Sequence, residues 1–216
     1  LITARGGSKR LPNKNIKNFC GKPLIVWTIE AAKKSKYIRE IYVSTDSEKI
    51  AEISMQYGAK IPSLRSYELS QDITSSVDVV LDFKKNIDSD EILLLQPTSP
   101  LRNTDFIDDF LELIFDKKPS QCVSVVDLSI KIKLCYEFRN YLKKLETNNE
   151  IKYFVPNGAM YYTKFEVLEN EKTFITQSCL HYPMPEIFSI DIDTIDDWNM
   201  AKAIKFLIEN NKIEDL

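Results

Sequence analysis

One histidine, His181, and four cysteines are the chain's whole supply of soft metal ligands. A structural zinc site needs such ligands clustered at short spacing. Cys20, Cys122, Cys135 and Cys179 are scattered with no C-x-x-C pair, which excludes zinc and reads as unpaired thiols in a reducing cytosol. No apolar run approaches the ~20 residues that span a bilayer, so no membrane segment is expected. Missing too are the G-x-G-x-x-G fingerprint of dinucleotide-binding oxidoreductases and the G-x-x-x-x-G-K-[ST] spacing of a Walker loop. Positive charge is in slight deficit, with 29 Lys and Arg against 32 Asp and Glu and a net charge of −3. That balance excludes a general nucleic-acid coat, and any polyanion site must concentrate its cations locally. There are no internal repeats and no low-complexity tracts.

What is present is the composition of an ordinary globular chain, 44% hydrophobic and 28% charged over 216 residues. The length fits a single domain, 1–216, that carries an insertion. Leu1–Ala4 reads as the end of a strand whose beginning is expected to precede Leu1, since buried strands run to about 5–6 residues. Pro23–Ser35 reads as a helix with proline in its first turn, and 41–43 as a strand. A helix over 47–57 follows, stopped by Gly58. Ile92–Leu95 is apolar at every position, as in a strand buried on both faces. A helix over 103–115 and a strand over 122–126 complete an alternation that predicts a doubly wound, mostly parallel α/β sheet. The rhythm breaks at 127–156, where Tyr136, Phe138 and Tyr141 stand among lysines and asparagines. A floppy excursion and an arm packed on a partner both fit, and the aromatics favour the arm. The sheet pattern resumes at 158–162, and a last helix begins near Thr194, with Thr194 and Asp197 spaced as a capping pair. Its buried stripe is expected at Trp198, Ala201, Ile204 and Ile208.

The loop after the first strand, Ala4 to Asn15, carries Arg5, Lys9, Arg10 and Lys14 around Gly6 and Gly7. Glycines permit close backbone approach to phosphate oxygens, and the cations suit a triphosphate that departs as pyrophosphate. A solvated basic turn is the plainer reading of such a loop, and charge density brings the two level. Asp191 and Asp193 alternate with isoleucines, which on an extended strand puts both carboxylates on one face, with Asp191 expected to be buried. Hard oxygen ligands so placed suit Mg2+ shared with nucleotide phosphates. Asp193 alone is also explained as a helix cap, whereas Asp196 and Asp197 need only a dipole-stabilising role. Gln96 to Arg102 follows the most apolar strand, where Gln96, Thr98, Ser99 and Arg102 offer polar groups from a proline-braced loop. The polar connection from Arg65 to Ser76 is of the kind that closes over a ligand.

Together these segments resemble the acylneuraminate cytidylyltransferases (CMP-sialic acid synthetases) over nearly the whole chain. The matching motifs are ARGGSKRLPNKN at 4–15, VSTDSEKIAEI at 43–53, LRSYELSQDITSS at 64–76, LLQPTSPLR at 94–102, PNGAMYYT at 156–163 and SIDIDT at 189–194. The resemblance implies a Rossmann-like nucleotidyltransferase fold and transfer of CMP from CTP to the anomeric hydroxyl of N-acetylneuraminic acid or a related nonulosonic acid. It assigns Arg5, Ser8, Lys9, Lys14, Asn15, Arg65 and Ser76 to the nucleotide, with Ser76 near the cytosine and Lys14 at the α-phosphate. It assigns Gln96, Thr98, Ser99 and Tyr161 to the sugar, and Asp191 and Asp193 to Mg2+, with Asp191 also drawing the proton from the attacking hydroxyl. It implies a homodimer whose inserted arm crosses to the partner's site, with Phe174 at an aromatic position supplied by the partner. One feature departs from the family: the arginine before the P-N-G motif, which grips the sugar carboxylate, has no counterpart in Thr147 to Val155, leaving Lys133 or Lys152 as substitutes. A synthetase for the eight-carbon acid Kdo is the nearest rival reading. A non-catalytic nucleotide sensor is the rival of another class, although it would not need the Asp191 and Asp193 pair.

Overall fold

The computed structural model describes residues 1–133, 135–138, 142–144, 147, 148 and 150–210. Strand β1 (Ile2–Thr3) is short and buried, and it delivers the chain into the cation-rich loop and a 3-10 turn at Lys14–Ile16. A small antiparallel pair, β2 (Asn18–Phe19) and β3 (Lys22–Pro23), leads into helix α1 (Leu24–Lys34). Next come β4 (Val43–Ser44), α2 (Glu48–Gln56) and α3 (Ser76–Lys84). The N-termini of α2 and α3 are capped by Ser47 and Ser75, whose hydroxyls accept the otherwise orphaned N–H groups of Ile50 and Asp78. Strand β5 (Glu91–Leu95), helix α4 (Thr104–Lys117) and strand β6 (Gln121–Asp127) continue the alternation. The excursion holds a short helix, α5 (Ser129–Ile132), and a separate two-stranded ribbon, β7 (Tyr136–Phe138) with β8 (Leu142–Lys144). The chain then returns as the long strand β9 (Phe154–Lys164), followed by α6 (Phe165–Glu171), β10 (Leu180–Pro183) and α7 (Ile195–Glu209).

The main sheet has six strands in the order β10-β6-β9-β5-β1-β4. Its neighbours are parallel except for β9, which runs antiparallel to both β5 and β6. Helices cover both faces, as alternate residues of β5 show. Leu95 enters a core with Ile29, Ile107, Phe110 and Trp198, while Ile92 and Leu94 enter a second core with Val80, Phe83, Phe165 and Leu168. Burial of each such side chain stabilises the fold by about 1.5–3 kcal/mol. The doubly wound α/β class therefore stands. The capping box of α7 stands too: Thr194 accepts from the Asp197 N–H while the Asp197 carboxylate accepts from the Thr194 N–H. Trp198 and Ala201 are buried beneath that helix, with Ile204 and Ile208 half-buried beside them.

Three expectations need correction. The insertion is shorter than 127–156, because Asp127 still belongs to β6 and Phe154 to Pro156 already belong to β9. The segment carrying Asp191 and Asp193 is not a sheet strand; it is tied to the neighbouring loop by the bond from the Ile192 N–H to the Thr98 carbonyl, 2.8 Å. Asp191 is exposed, not buried. Of the aromatic residues expected in the insertion, Tyr141 lies outside the described residues.

Candidate active site

The carboxyl ends of β1 and β5 open into one cleft, the place where ligands bind in open α/β sheets. Arg5, Ser8, Lys14 and Asn15 line it from the first loop, and Arg65 and Ser76 from the connection before α3. Gln96 and Thr98 contribute from the loop after β5, and Asp191 and Asp193 from the segment before α7. Ten of the sequence-predicted site residues thus meet across 188 positions of chain, from Arg5 to Asp193. Lys9 lines an adjoining groove that shares Arg5, Ser8, Lys14 and Asp193 with the cleft. A third groove, sharing Gln96 and Asp191, extends the cleft on the opposite side and is walled by Tyr161 and Gly158.

Local bonds set the loop's shape. The Asn15 side chain is buried and donates to the Arg5 carbonyl at 3.0 Å, closing the loop on itself. The Gly6 N–H donates to the Asp46 carboxylate at 2.8 Å, which fastens the loop to the end of β4. A Cβ on Gly6 would stand 3.1 Å from the Ser47 Cβ, so close packing explains this glycine. Gly7 has open space around it, and neither glycine adopts a positive φ. Close packing against the start of α2, and not a left-handed backbone angle, is what calls for glycine at position 6.

The cations are already paired with acids. Arg5 and Lys9 both contact the Asp72 carboxylate, and Arg10 and Lys14 each lie 3.1 Å from Asp193. Lys14 is nearly enclosed, its side chain 12% exposed, and it also donates to the Ile192 carbonyl. Arg65 is held by the Ser70 hydroxyl at 3.1 Å and lies 3.9 Å from Asp46; burial lowers its pKa from the ordinary value, with Asp46 opposing the shift. Asp191 reaches solvent through the cleft mouth, but protein atoms crowd its carboxyl on the remaining sides. Desolvation therefore raises its pKa and the Asp193 charge adds to the rise, while the Thr98 hydroxyl and Lys14 pull it back. The phenol of Tyr161 is raised by burial and by Asp191.

Two predicted sugar contacts lie elsewhere. Ser99 is 0% exposed, its hydroxyl is buried without a partner among the described residues, and it acts in the turn through its backbone. Phe174 is buried in its own chain's second core and packs behind the Tyr161 ring, centroids 5.4 Å apart, rather than standing free for a partner. Arg102 is likewise no pocket group. It is 1% exposed and ties the site's scaffold together by donating to the Ala159 carbonyl and the Thr28 hydroxyl, each at 2.8 Å. Burial without a carboxylate lowers its pKa to about 9. Neither Lys133 nor Lys152 lines the third groove. Sequence reasoning missed Asp46 and Asp72. The D-S pair that opens α2 carried a signal for Asp46, but an acid in a polar loop carries none for Asp72.

A cation-rich loop and a carboxylate pair on facing walls, at the strand ends of a doubly wound sheet, define a nucleotidyltransferase. The chain belongs to the cytidylyltransferase family, whose model matches residues 1–196. It is 37% identical to the CMP-N,N'-diacetyllegionaminic acid synthase of Legionella pneumophila, across 94% of both chains. It is 35% identical to the N-acylneuraminate cytidylyltransferase of Streptococcus agalactiae over 92% of its own length, but spans only 51% of that relative. In fold it is similar to a CMP:2-keto-3-deoxy-manno-octonic acid synthetase solved with CTP, at a TM-score of 0.75 and 18% identity, over 96% of this chain and 97% of that one. Among the described residues no helix is long and apolar enough to cross a membrane.

Proposed function

We propose that this chain transfers CMP from CTP to the anomeric hydroxyl of a nonulosonic, sialic-type acid and releases pyrophosphate. The observation that carries the reading is the single cleft in which the loop cations face Asp191 and Asp193, with a sugar-sized groove beyond Asp191. The triphosphate lies along Arg5, Ser8 and Lys9, and Lys14 stabilises charge building on the α-phosphate. Asn15 lines the same cleft, where it contacts the ribose. Arg65 and Ser76 hold the rest of the nucleotide. The sugar sits against Gln96, Thr98 and Tyr161, so that its anomeric oxygen attacks the α-phosphorus as the bond to the β-phosphate oxygen breaks. Asp191 accepts the hydroxyl proton, a role that its raised pKa favours.

Mg2+ needs only one or two protein carboxylates when phosphates and water fill its other positions. Asp191 and Asp193 on one wall fit that demand, and the described residues hold no larger acidic or histidine cluster. Bound there, the ion would neutralise phosphate charge. In the same reading the chain works as a homodimer, with the inserted ribbon supplying contact to the second copy.

Incubating the purified chain with Mg2+, each nucleoside triphosphate in turn and a panel of acids tests the proposal. Pyrophosphate release should require both CTP and a nonulosonic acid. Equal turnover with UTP or ATP, or none with any acid of the panel, would overturn it.

A further inference from the structure

The groove beyond Asp191 has two ends of different chemistry. At the nucleotide end stand Gln96 and Asp191, which line the cleft as well, with Tyr161 beside them in the groove. At the far end stand Val126 and Val155. These two are register partners on the antiparallel strands β6 and β9, so their side chains share one face. Val155 is 38% exposed, an apolar surface left open on a strand. Two polar residues also line this end, but their hydrogen-bonding groups are already engaged. Asn157 accepts from the Ser124 hydroxyl at 2.6 Å and from the Ala159 N–H at 3.2 Å, and its amide donates to the Ser189 hydroxyl at 2.9 Å. Ser189 in turn donates to the Pro185 carbonyl at 3.0 Å. A sugar tail entering here meets methyl groups and satisfied polar atoms.

We infer that Val126 and Val155 select an acceptor whose tail ends in methyl groups, a di-N-acetylated 9-deoxy nonulosonic acid, over N-acetylneuraminic acid with its trihydroxylated tail. The inference rests on the cytidylyl-transfer reading and deepens it by choosing the acceptor. An acetamido or terminal methyl gains contact on the valine face. Hydroxyls in the same place lose water without finding a partner. An apolar pocket rejects an analogue that adds one hydroxyl by up to about a hundredfold, so a preference of tenfold or more is expected.

The test compares kcat/KM for N,N'-diacetyllegionaminic acid and N-acetylneuraminic acid with the native chain, CTP and Mg2+. The first should exceed the second by about tenfold or more. Val126→Thr with Val155→Thr exchanges methyls for hydroxyls at nearly constant volume. It should cut that ratio about tenfold through KM for the acid, while KM for CTP stays put. Equal or higher kcat/KM for N-acetylneuraminic acid with the native chain sinks the inference and leaves cytidylyl transfer standing. A ratio that the threonine pair leaves unmoved also sinks it, as does absence of turnover with both acids, while absence of turnover with every acid of the wider panel brings down the cytidylyl-transfer reading as well.

Discussion

Asp72 holds Arg5 and Lys9, two of the cations that the proposed reaction assigns to the triphosphate. Lys9 and Arg5 keep its carboxyl below the ordinary carboxylate range, so it stays ionised wherever the enzyme works. Protonation would release them only as the pH falls through that lowered value, which makes the contact a competitor for phosphate and not a pH switch. Ion pairs this exposed are weak, so in the proposed reaction a nucleotide would displace Asp72 easily, but at some cost in affinity. Asp72→Asn is therefore expected to lower KM for CTP by about two- to fivefold, with pyrophosphate inhibition tightening in parallel because both anions use Arg5 and Lys9. Steady-state kinetics with added pyrophosphate reads both, and a KM that rises instead would mean that Asp72 aims Arg5 at the nucleotide. Arg5, Lys14 and Asp191 were legible in the sequence because their charge is dense or alternates with apolar residues. Asp72 and Asp46 were not, because their roles come from loops folded against each other, which no local pattern encodes.

Strand β9 shows the same limit for a whole element. Its apolar centre reads as a strand, but a run buried on both faces carries no alternation to reveal direction, and both of its partners lie far away in sequence. Edge strand β10 was missed because Leu180–Pro183 mixes histidine, tyrosine and proline, tolerated only where one side of a strand lacks a neighbour. Helices α1, α2, α4 and α7 were legible from apolar spacing, and α7 also from its Thr194 cap, whereas α3 and α6 were not read. Within β9, Gly158 has φ +78, and a Cβ there would stand 3.1 Å from Gln96 Oε1 and 3.3 Å from Asp191 Oδ2. Gly158→Ala is therefore expected to cost about 1–2 kcal/mol of stability from the left-handed backbone alone. It should also displace Gln96 and Asp191, raising KM for the acid more than KM for CTP. Thermal denaturation and two-substrate kinetics check the two effects separately. Kinetics unchanged from the native chain would mean that both side chains swing aside at no cost.

At the scale of the molecule, the nucleotide cleft and the insertion are built from different parts. The cleft is carried by the loops after β1 and β5, the connection into α3 and the segment before α7, whereas the insertion leaves at the end of β6 and returns at the start of β9. Its β7–β8 ribbon lies outside the main sheet, and a lone two-stranded ribbon is marginal in water unless something packs on it. A second copy of the chain is the cover that the proposed homodimer supplies. The strand ends that launch the insertion also carry Val126 and Val155, so a copy seated on the ribbon would border the acceptor groove and not the triphosphate loop. Replacing residues 136–144 by a short Gly-Ser linker is thus expected to convert a dimer into a monomer in sedimentation. CTP binding measured by calorimetry should persist, while KM for the acid rises. If the shortened chain still sediments as a dimer, the contact lies on another face. Loss of CTP binding together with the dimer would mean that the cleft depends on the ribbon, against the separation of parts seen in the sheet.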